Sequence, residues 1–309
     1  MNILHQYLDP VLNDRKSGSS EILKKLQEAL IAMSGNPAVT HKQGWQRKVL
    51  GLILQRLGHF ALILHFVNAL CASNSVESDE AEWIQFIRNY QKRWATKGEG
   101  HLQSLQKVED LDTVRTILLH SRSGALIDLF GALPYSLHKS WIIYQSISHP
   151  AKEGLAQGNR LKDKDWNVIM IEDAVMGKML TNCDMSLFGC DVLTETTFVN
   201  KVGSMPLAAA ARLLKVPLYV LADERKLINV RMTDERLLDD ILTEYPHDDS
   251  ELQVAPLSGI NYYFEHVPCD WIPYFIFPEK AYMPSELNEL LSSVAFHPLF
   301  MEIWNEGGE

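Results

Sequence analysis

From Asp112 onward the chain carries a succession of short apolar or β-branched runs: TVRTILLHS, SWIIYQSIS, WNVIMIED, MSLFGCD, VPLYVLAD and DWIPYFIFP. Most are separated from the next by a helix-like stretch, and they suit strands buried on both faces. Alternation of such strands with helices calls for a parallel sheet joined by crossover helices, because parallel neighbours cannot be linked by a tight turn. This pattern excludes an all-helical or an all-antiparallel architecture for the larger part of the chain.

Before Asp112 the period is helical. Ser19 and Ser20 precede EILKKLQEALIAM, in which Ile22, Leu23, Leu26, Leu30 and Met33 fall on one helix face. EAEWIQFIRNYQKRWA repeats the pattern through Trp83, Phe86, Ile87, Tyr90 and Trp94, aromatics that suit core and interdomain packing. The long apolar run Val49–Ala72 contains Gln55, Arg56, His59 and His65, costly at membrane depth, and so reads as one buried core helix. Lys97-Gly98-Glu99-Gly100 reads as a linker, and the acidic stretch Glu224–Val267 as an irregular excursion before the last strand. The expected fold is α/β: a helical N-terminal domain at residues 1–100, then a Rossmann-like domain with a mostly parallel sheet at 101–309. A chain of 309 residues is long enough for both.

A formal net charge of −10 argues against a general nucleic-acid binder, which carries a basic face. Cys71, Cys183, Cys190 and Cys269 form no CxxC pair, so neither a zinc site nor a disulfide framework is expected, and a reducing cytoplasm fits. The N-terminus shows no signal peptide, and no metal or organic cofactor is called for.

In a covered parallel sheet, ligands bind outside the carboxyl ends of the strands, so the loops there carry the chemistry. The stretch Leu187–Ser204, LFGCDVLTETTFVNKVGS, reads as a strand ending in Gly-Cys-Asp, a polar loop, and a helix opened by Asn200-Lys201-Val202-Gly203-Ser204. Asp191 then faces a crevice into which the next helix points its free N–H groups, with Lys201 beside them. Ser121-Arg122-Ser123-Gly124 after the first strand suits close approach of backbone N–H groups to an anion, or ordinary N-capping by serine. The second and third strands bring His149, Glu153 and Asp173 to the same rim, with N-capping the alternative for Asp173.

ILLHSRSG, HPAKEG, VIMIEDAVMGKML, FGCDVLTETTFVNKVGS, VPLYVLADERK and NYYFEHVPCDWIPYFIFPEKAYMPSEL follow one another in a recognisable order and spacing. The chain resembles the family that joins the α, β and δ regulatory subunits of eukaryotic translation initiation factor 2B to methylthioribose-1-phosphate isomerase and ribose-1,5-bisphosphate isomerase. The likeness covers about residues 112–290. It implies that Asp191 stands at the isomerases' catalytic aspartate, with Cys190 in the middle of their Gly-Ala-Asp, and that Asn200 and Lys201 match their substrate-contacting pair. Ser121 stands where the isomerases have a catalytic cysteine, and a hydroxyl is a far weaker acid than a thiol. The family's Arg-Pro is His149-Pro150 here, its substrate-binding Gln aligns with Glu153, and its N-terminal phosphate-binding Arg-Gly falls at Ser17-Gly18, after Lys16. Arg122 and Ser123 in the Ser-Arg-Ser run look more like the regulatory subunits.

Two functions follow from the resemblance. One is an aldose–ketose isomerase of a pentose 1-phosphate or related compound, with Asp191 exchanging protons and Ser121 hydrogen-bonding. The other is a non-catalytic protein of the initiation-factor kind that binds a phosphorylated sugar or nucleotide and acts through a protein partner. Both imply a homodimer paired through the α/β domain, with no membrane or nucleic acid bound.

Overall fold

The protein is described here from a computed structural model, in residues 3–14, 17–41, 43–73, 75–76, 78–95, 97–233 and 262–306. The core of the expected acidic excursion, 234–261, and Lys16 lie outside the described residues. The described residues fall into two compact units, one taking residues up to 95 with 225–233 and 294–306, the other taking 97–224 and 262–293.

The first unit is helical: α1 (Ile3–Leu12), α2 (Ser19–Ser34), α3 (Pro37–Thr40), α4 (Trp45–Leu57), α5 (Ala61–Ala72) and α6 (Glu80–Arg93), joined by the C-terminal helix Pro298–Glu306. As the spacing requires, α2 buries Ile22, Leu23, Leu26, Leu30 and Met33. The Asp79 side chain caps α6 by accepting the Glu82 N–H at 2.9 Å. The Val49–Ala72 run is not one helix. It breaks at Gly58, where a Cβ would run into the Leu54 carbonyl and the Trp304 ring, so a turn separates α4 from α5. Two of the polar groups inside the run find partners: Arg56 donates to Asn13 Oδ1 at 2.9 Å, and His65 Nδ1 lies 2.8 Å from the Tyr90 hydroxyl. Among the described residues no helix is long and apolar enough to cross a membrane.

The second unit opens with α7 (Gly98–Leu105), which corrects the expected linker. Its glycines serve packing: a Cβ at Gly98 would meet the Asp128 carbonyl, and one at Gly100 would lie 2.6 Å from the Pro278 carbonyl. There follow β1 (Thr116–Leu119), α8 (Gly124–Ala132), α9 (Tyr135–His138), β2 (Ile142–Ser146), α10 (Glu153–Lys162), β3 (Asn167–Ile171), α11 (Met176–Leu180), β4 (Met185–Phe188), β5 (Val192–Leu193), β6 (Thr197–Lys201), α12 (Ser204–Leu214), β7 (Leu218–Leu221), β8 (Phe264–Pro268), β9 (Tyr274–Ile276) and β10 (Ala281–Tyr282). Seven strands form one sheet in the order β10-β9-β7-β4-β1-β2-β3, parallel except for β10. The β1, β4 and β7 strands are almost wholly buried, as their continuous apolar runs require. The aromatic run DWIPYFIFP, read as one strand, supplies only the short β9, preceded by a tight turn at Cys269–Trp271.

A second sheet, β5-β6-β8, is antiparallel and was not foreseen. It corrects the reading of Leu187–Ser204: Asn200 and Lys201 end strand β6, and the helix begins only at Ser204, after Gly203 in the left-handed region (φ 101°). TFVNK pairs over its length with β8, from Thr197 opposite Pro268 to Lys201 opposite Phe264, a pairing distant in sequence and so invisible to local pattern.

A candidate ligand crevice at the switch point of the sheet

Chain order runs outward from β1 through β2 to β3 on one side, and from β4 through β7 to β9 on the other. The reversal lies between β1 and β4, the place where open parallel sheets leave a crevice at their carboxyl ends. There Gly189 faces Ser123 so closely that a Cβ would stand 2.5 Å from Ser123 Oγ.

The loop after β1 is held from several directions. Ser121 is a non-glycine residue in the left-handed region (φ 67°), a conformation that costs about 1 kcal/mol and needs support. Its N–H donates to Ser148 Oγ (2.8 Å), its carbonyl accepts from Gln145 Nε2 (3.2 Å), and its hydroxyl donates to Glu153 Oε1 (3.2 Å). The Ser123 N–H donates to Gln157 Oε1 at 2.8 Å, and Gln157 Nε2 donates to Gln145 Oε1 at 2.9 Å. Ser123 Oγ accepts the Leu126 N–H at 3.4 Å and caps α8. The N–H groups of Ser121 and Ser123, expected to cradle an anion, are therefore engaged inside the protein, and Ser123 is a cap. Arg122 between them is half-buried.

Beneath the loop His120 is fully buried, and burial pushes its imidazole down to about 4, so the ring is neutral. Nε2 lies 2.9 Å from the Val202 carbonyl and must carry the proton, while Nδ1 accepts from Ser146 Oγ at 2.7 Å. Ser146 Oγ in turn lies 2.8 Å from Ser148 Oγ, which connects the histidine to the Ser121 N–H.

Lys201 is 1 % exposed. Its ammonium lies 3.0 Å from Glu153 Oε1 and 4.5 Å from the centre of the Tyr263 ring. Burial pushes its pKa down, and the charges of Glu153, Asp191 and Asp173 oppose that, in this order. Glu153, at the start of α10, thus joins Ser121 to Lys201 through one carboxylate oxygen. Asn200 is buried and donates to Ser204 Oγ at 2.8 Å, which donates to the Lys201 carbonyl at 2.6 Å, so its amide braces the strand end. The α12 N-terminus does not open on the crevice through Met205: that N–H donates to Glu265 Oε1 at 2.7 Å.

Asp191 is half-buried after β4, its N–H donating to the Val199 carbonyl at 2.9 Å. The neighbouring Cys190 is buried, with Sγ 3.0 Å from the Val192 carbonyl. Asp173 accepts the N–H groups of Ser148 and His149, each at 2.7 Å, so it ties the loop after β2 rather than capping its own turn. His149 Nδ1 lies 3.2 Å from the same carboxylate. Ser121, Glu153 and Lys201 thus meet through one carboxylate oxygen, Asp191 lies within electrostatic reach of Lys201, and Ser123 packs against Gly189, while Arg122 is placed only by its position between Ser121 and Ser123. Ser17 and Gly18 lie in the helical unit, where Ser17 donates its N–H to Asp14 and accepts from Lys25, and the Gly18 carbonyl caps α2.

Gln145, Ser148 and Gln157 were not singled out from the sequence. Their signal was present in Gln145, a polar residue within the buried apolar run of β2. Tyr263 carried none, since its place depends on the second sheet.

The model of the initiation factor 2 subunit family, IF-2B, matches residues 59–276. The chain belongs to that family. A protein of Pyrococcus abyssi described as translation initiation factor eIF-2B subunit 2-like is 25% identical to this family member over 221 residues, 70% of this chain and 78% of the relative. The crystal structure of translation initiation factor eIF-2B from Pyrococcus horikoshii has a TM-score of 0.75 at 19% identity, covering 93% of this chain and 99% of the other. That of 5-methylthioribose 1-phosphate isomerase from the same organism has a TM-score of 0.69 at 14% identity, covering 99% and 87%. At such identities the two structures establish the shared IF-2B fold alone.

Proposed function

We propose that the chain binds a phosphorylated sugar or nucleotide in the crevice between β1 and β4 and acts as a non-catalytic regulatory protein through a partner protein. The observation that carries this reading is the Ser121 hydroxyl donating to a Glu153 carboxylate that already pairs with Lys201. A carboxylate neutralised by an ammonium is a weak base, and a hydroxyl without a strong base is neither an acid nor a nucleophile at neutral pH. The protein is a homodimer paired through its α/β unit and works in the cytoplasm, where its buried free cysteines stay reduced.

A second reading, isomerisation of a pentose 1-phosphate, draws support from Asp191: it follows β4, close enough to Lys201 for its charge to oppose the downward push of burial on the lysine, and can exchange protons with a sugar oxygen. A thermal-shift screen with pentose phosphates, methylthioribose 1-phosphate and nucleotides, followed by turnover assays on each hit, tests both. A ligand at a hundred times its Kd stabilises the fold by roughly 2.7 kcal/mol. A binding ligand without turnover supports the first reading, turnover the second, and no shift with any of them overturns the site.

A further inference from the structure

We infer that Glu153 is a specificity-determining residue: by occupying Lys201 it keeps phosphate away from the crevice's buried cation, so the ligand presents a hydroxyl there and carries its phosphate elsewhere. The inference rests on the crevice being the sugar-phosphate site proposed above.

Three observations lead to it. The Lys201 ammonium is enclosed, 1 % exposed, with Glu153 Oε1 at 3.0 Å and the Tyr263 ring at 4.5 Å, so its charge is already matched. A dianionic phosphate brought to it must either displace Glu153 or sit against a carboxylate in a place where water screens little. Displacing Glu153 also breaks the Ser121 bond and leaves that loop without one of its supports. Glu153 Oε2, in turn, is buried and accepts no hydrogen bond among the described residues. An acceptor left so is costly, and what completes it is a donor: a sugar O–H fits, a phosphate at neutral pH does not. The Glu153 side chain keeps 19 % of its surface open although Oε2 itself is enclosed, so a ligand at the rim meets the carboxylate by a small turn of that side chain. The pair therefore reads a neutral polyol edge and discriminates against a second phosphate on the same sugar.

The test uses the full chain and measures Kd by isothermal titration for ribose 1-phosphate, ribose 5-phosphate and ribose 1,5-bisphosphate, on the wild type and on Glu153→Gln. The glutamine keeps the shape and an acceptor for Lys201 and Ser121 while removing the charge. The wild type is expected to bind the better monophosphate at least about tenfold more tightly than the bisphosphate, and Glu153→Gln to shift that ratio at least about tenfold towards the bisphosphate. A wild type that prefers the bisphosphate overturns the proposal whether or not the variant folds, and so does a ratio that Glu153→Gln leaves unchanged. If neither protein binds any of the three, the assignment of the crevice to sugar phosphates falls and this inference with it.

Discussion

Lys201 and Glu153 meet at 3.0 Å with 2 % and 19 % of their side chains exposed, the lysine from the end of β6 and the glutamate from the start of α10. Removing one partner of a desolvated pair strands the other, and the lysine is the more deeply enclosed. Glu153→Ala should lower the unfolding free energy by roughly 3 kcal/mol or more, and Lys201→Met by clearly less, because the glutamate left behind can rehydrate. Urea denaturation of both variants decides it. Equal losses would show that the two charges are equally desolvated.

His120 sets an acid limit on the fold. Its folded pKa of about 4 lies below the ordinary 6.5 because burial opposes the charged ring, so between these values the unfolded chain binds a proton that the folded one does not. Its contribution is therefore present above pH 6.5 and lost as pH falls towards 4, for a total of roughly 3 kcal/mol. Denaturant midpoints between pH 7 and 4.5 should fall steeply for the wild type and less so for His120→Gln. Parallel curves would mean that carboxylates elsewhere dominate.

Gly189 brings the chain after β4 hard against the loop after β1. An alanine there would put its Cβ 2.5 Å from Ser123 Oγ and 2.6 Å from Ser123 Cβ, pushing the loop after β1 off the end of β4. Gly189→Ala is expected to cost about 1–3 kcal/mol of stability and to weaken any crevice ligand more than it weakens the fold. Thermal melts with and without ligand separate the two effects. An unaltered ligand shift would place the ligand away from Ser123.

What could be read from the sequence follows the range of the interactions involved. The α2 face and the strands β1, β4 and β7 depend on local periodicity, and their burial follows the pattern of the residues. The β6–β8 pairing joins segments more than sixty residues apart, so local reasoning took Asn200-Lys201 for the start of a helix. The glycines of Lys97-Gly98-Glu99-Gly100 looked like flexibility because the backbone that presses on them, at Asp128 and Pro278, comes from elsewhere in the chain. At the crevice the residue types were legible, whereas their partners were not: Glu153 signalled a carboxylate, but only the fold sets it between Ser121 and Lys201.

Ser121 stands where the resemblance places the isomerases' cysteine, and Cys190 cannot replace it, since its thiol is buried and turned to the Val192 carbonyl. Ser121→Cys should therefore give turnover with a pentose 1-phosphate that the protein binds, and Asp191→Asn in that background should abolish it with little change in Kd, because the shape is kept and only proton exchange is lost. The gain should be larger when Glu153→Gln is added, as a carboxylate 3.2 Å from the position of the Ser121 oxygen would raise the pKa of the new thiol. Cys190→Ala should leave binding and turnover unchanged. Steady-state assays of these four variants and of Ser121→Ala check the expectations together. If Cys190→Ala removes an activity that Ser121→Ala leaves intact, the roles assigned to the two positions are reversed. If Ser121→Cys stays silent with every ligand that binds, with or without Glu153→Gln, the crevice is not shaped for isomerisation.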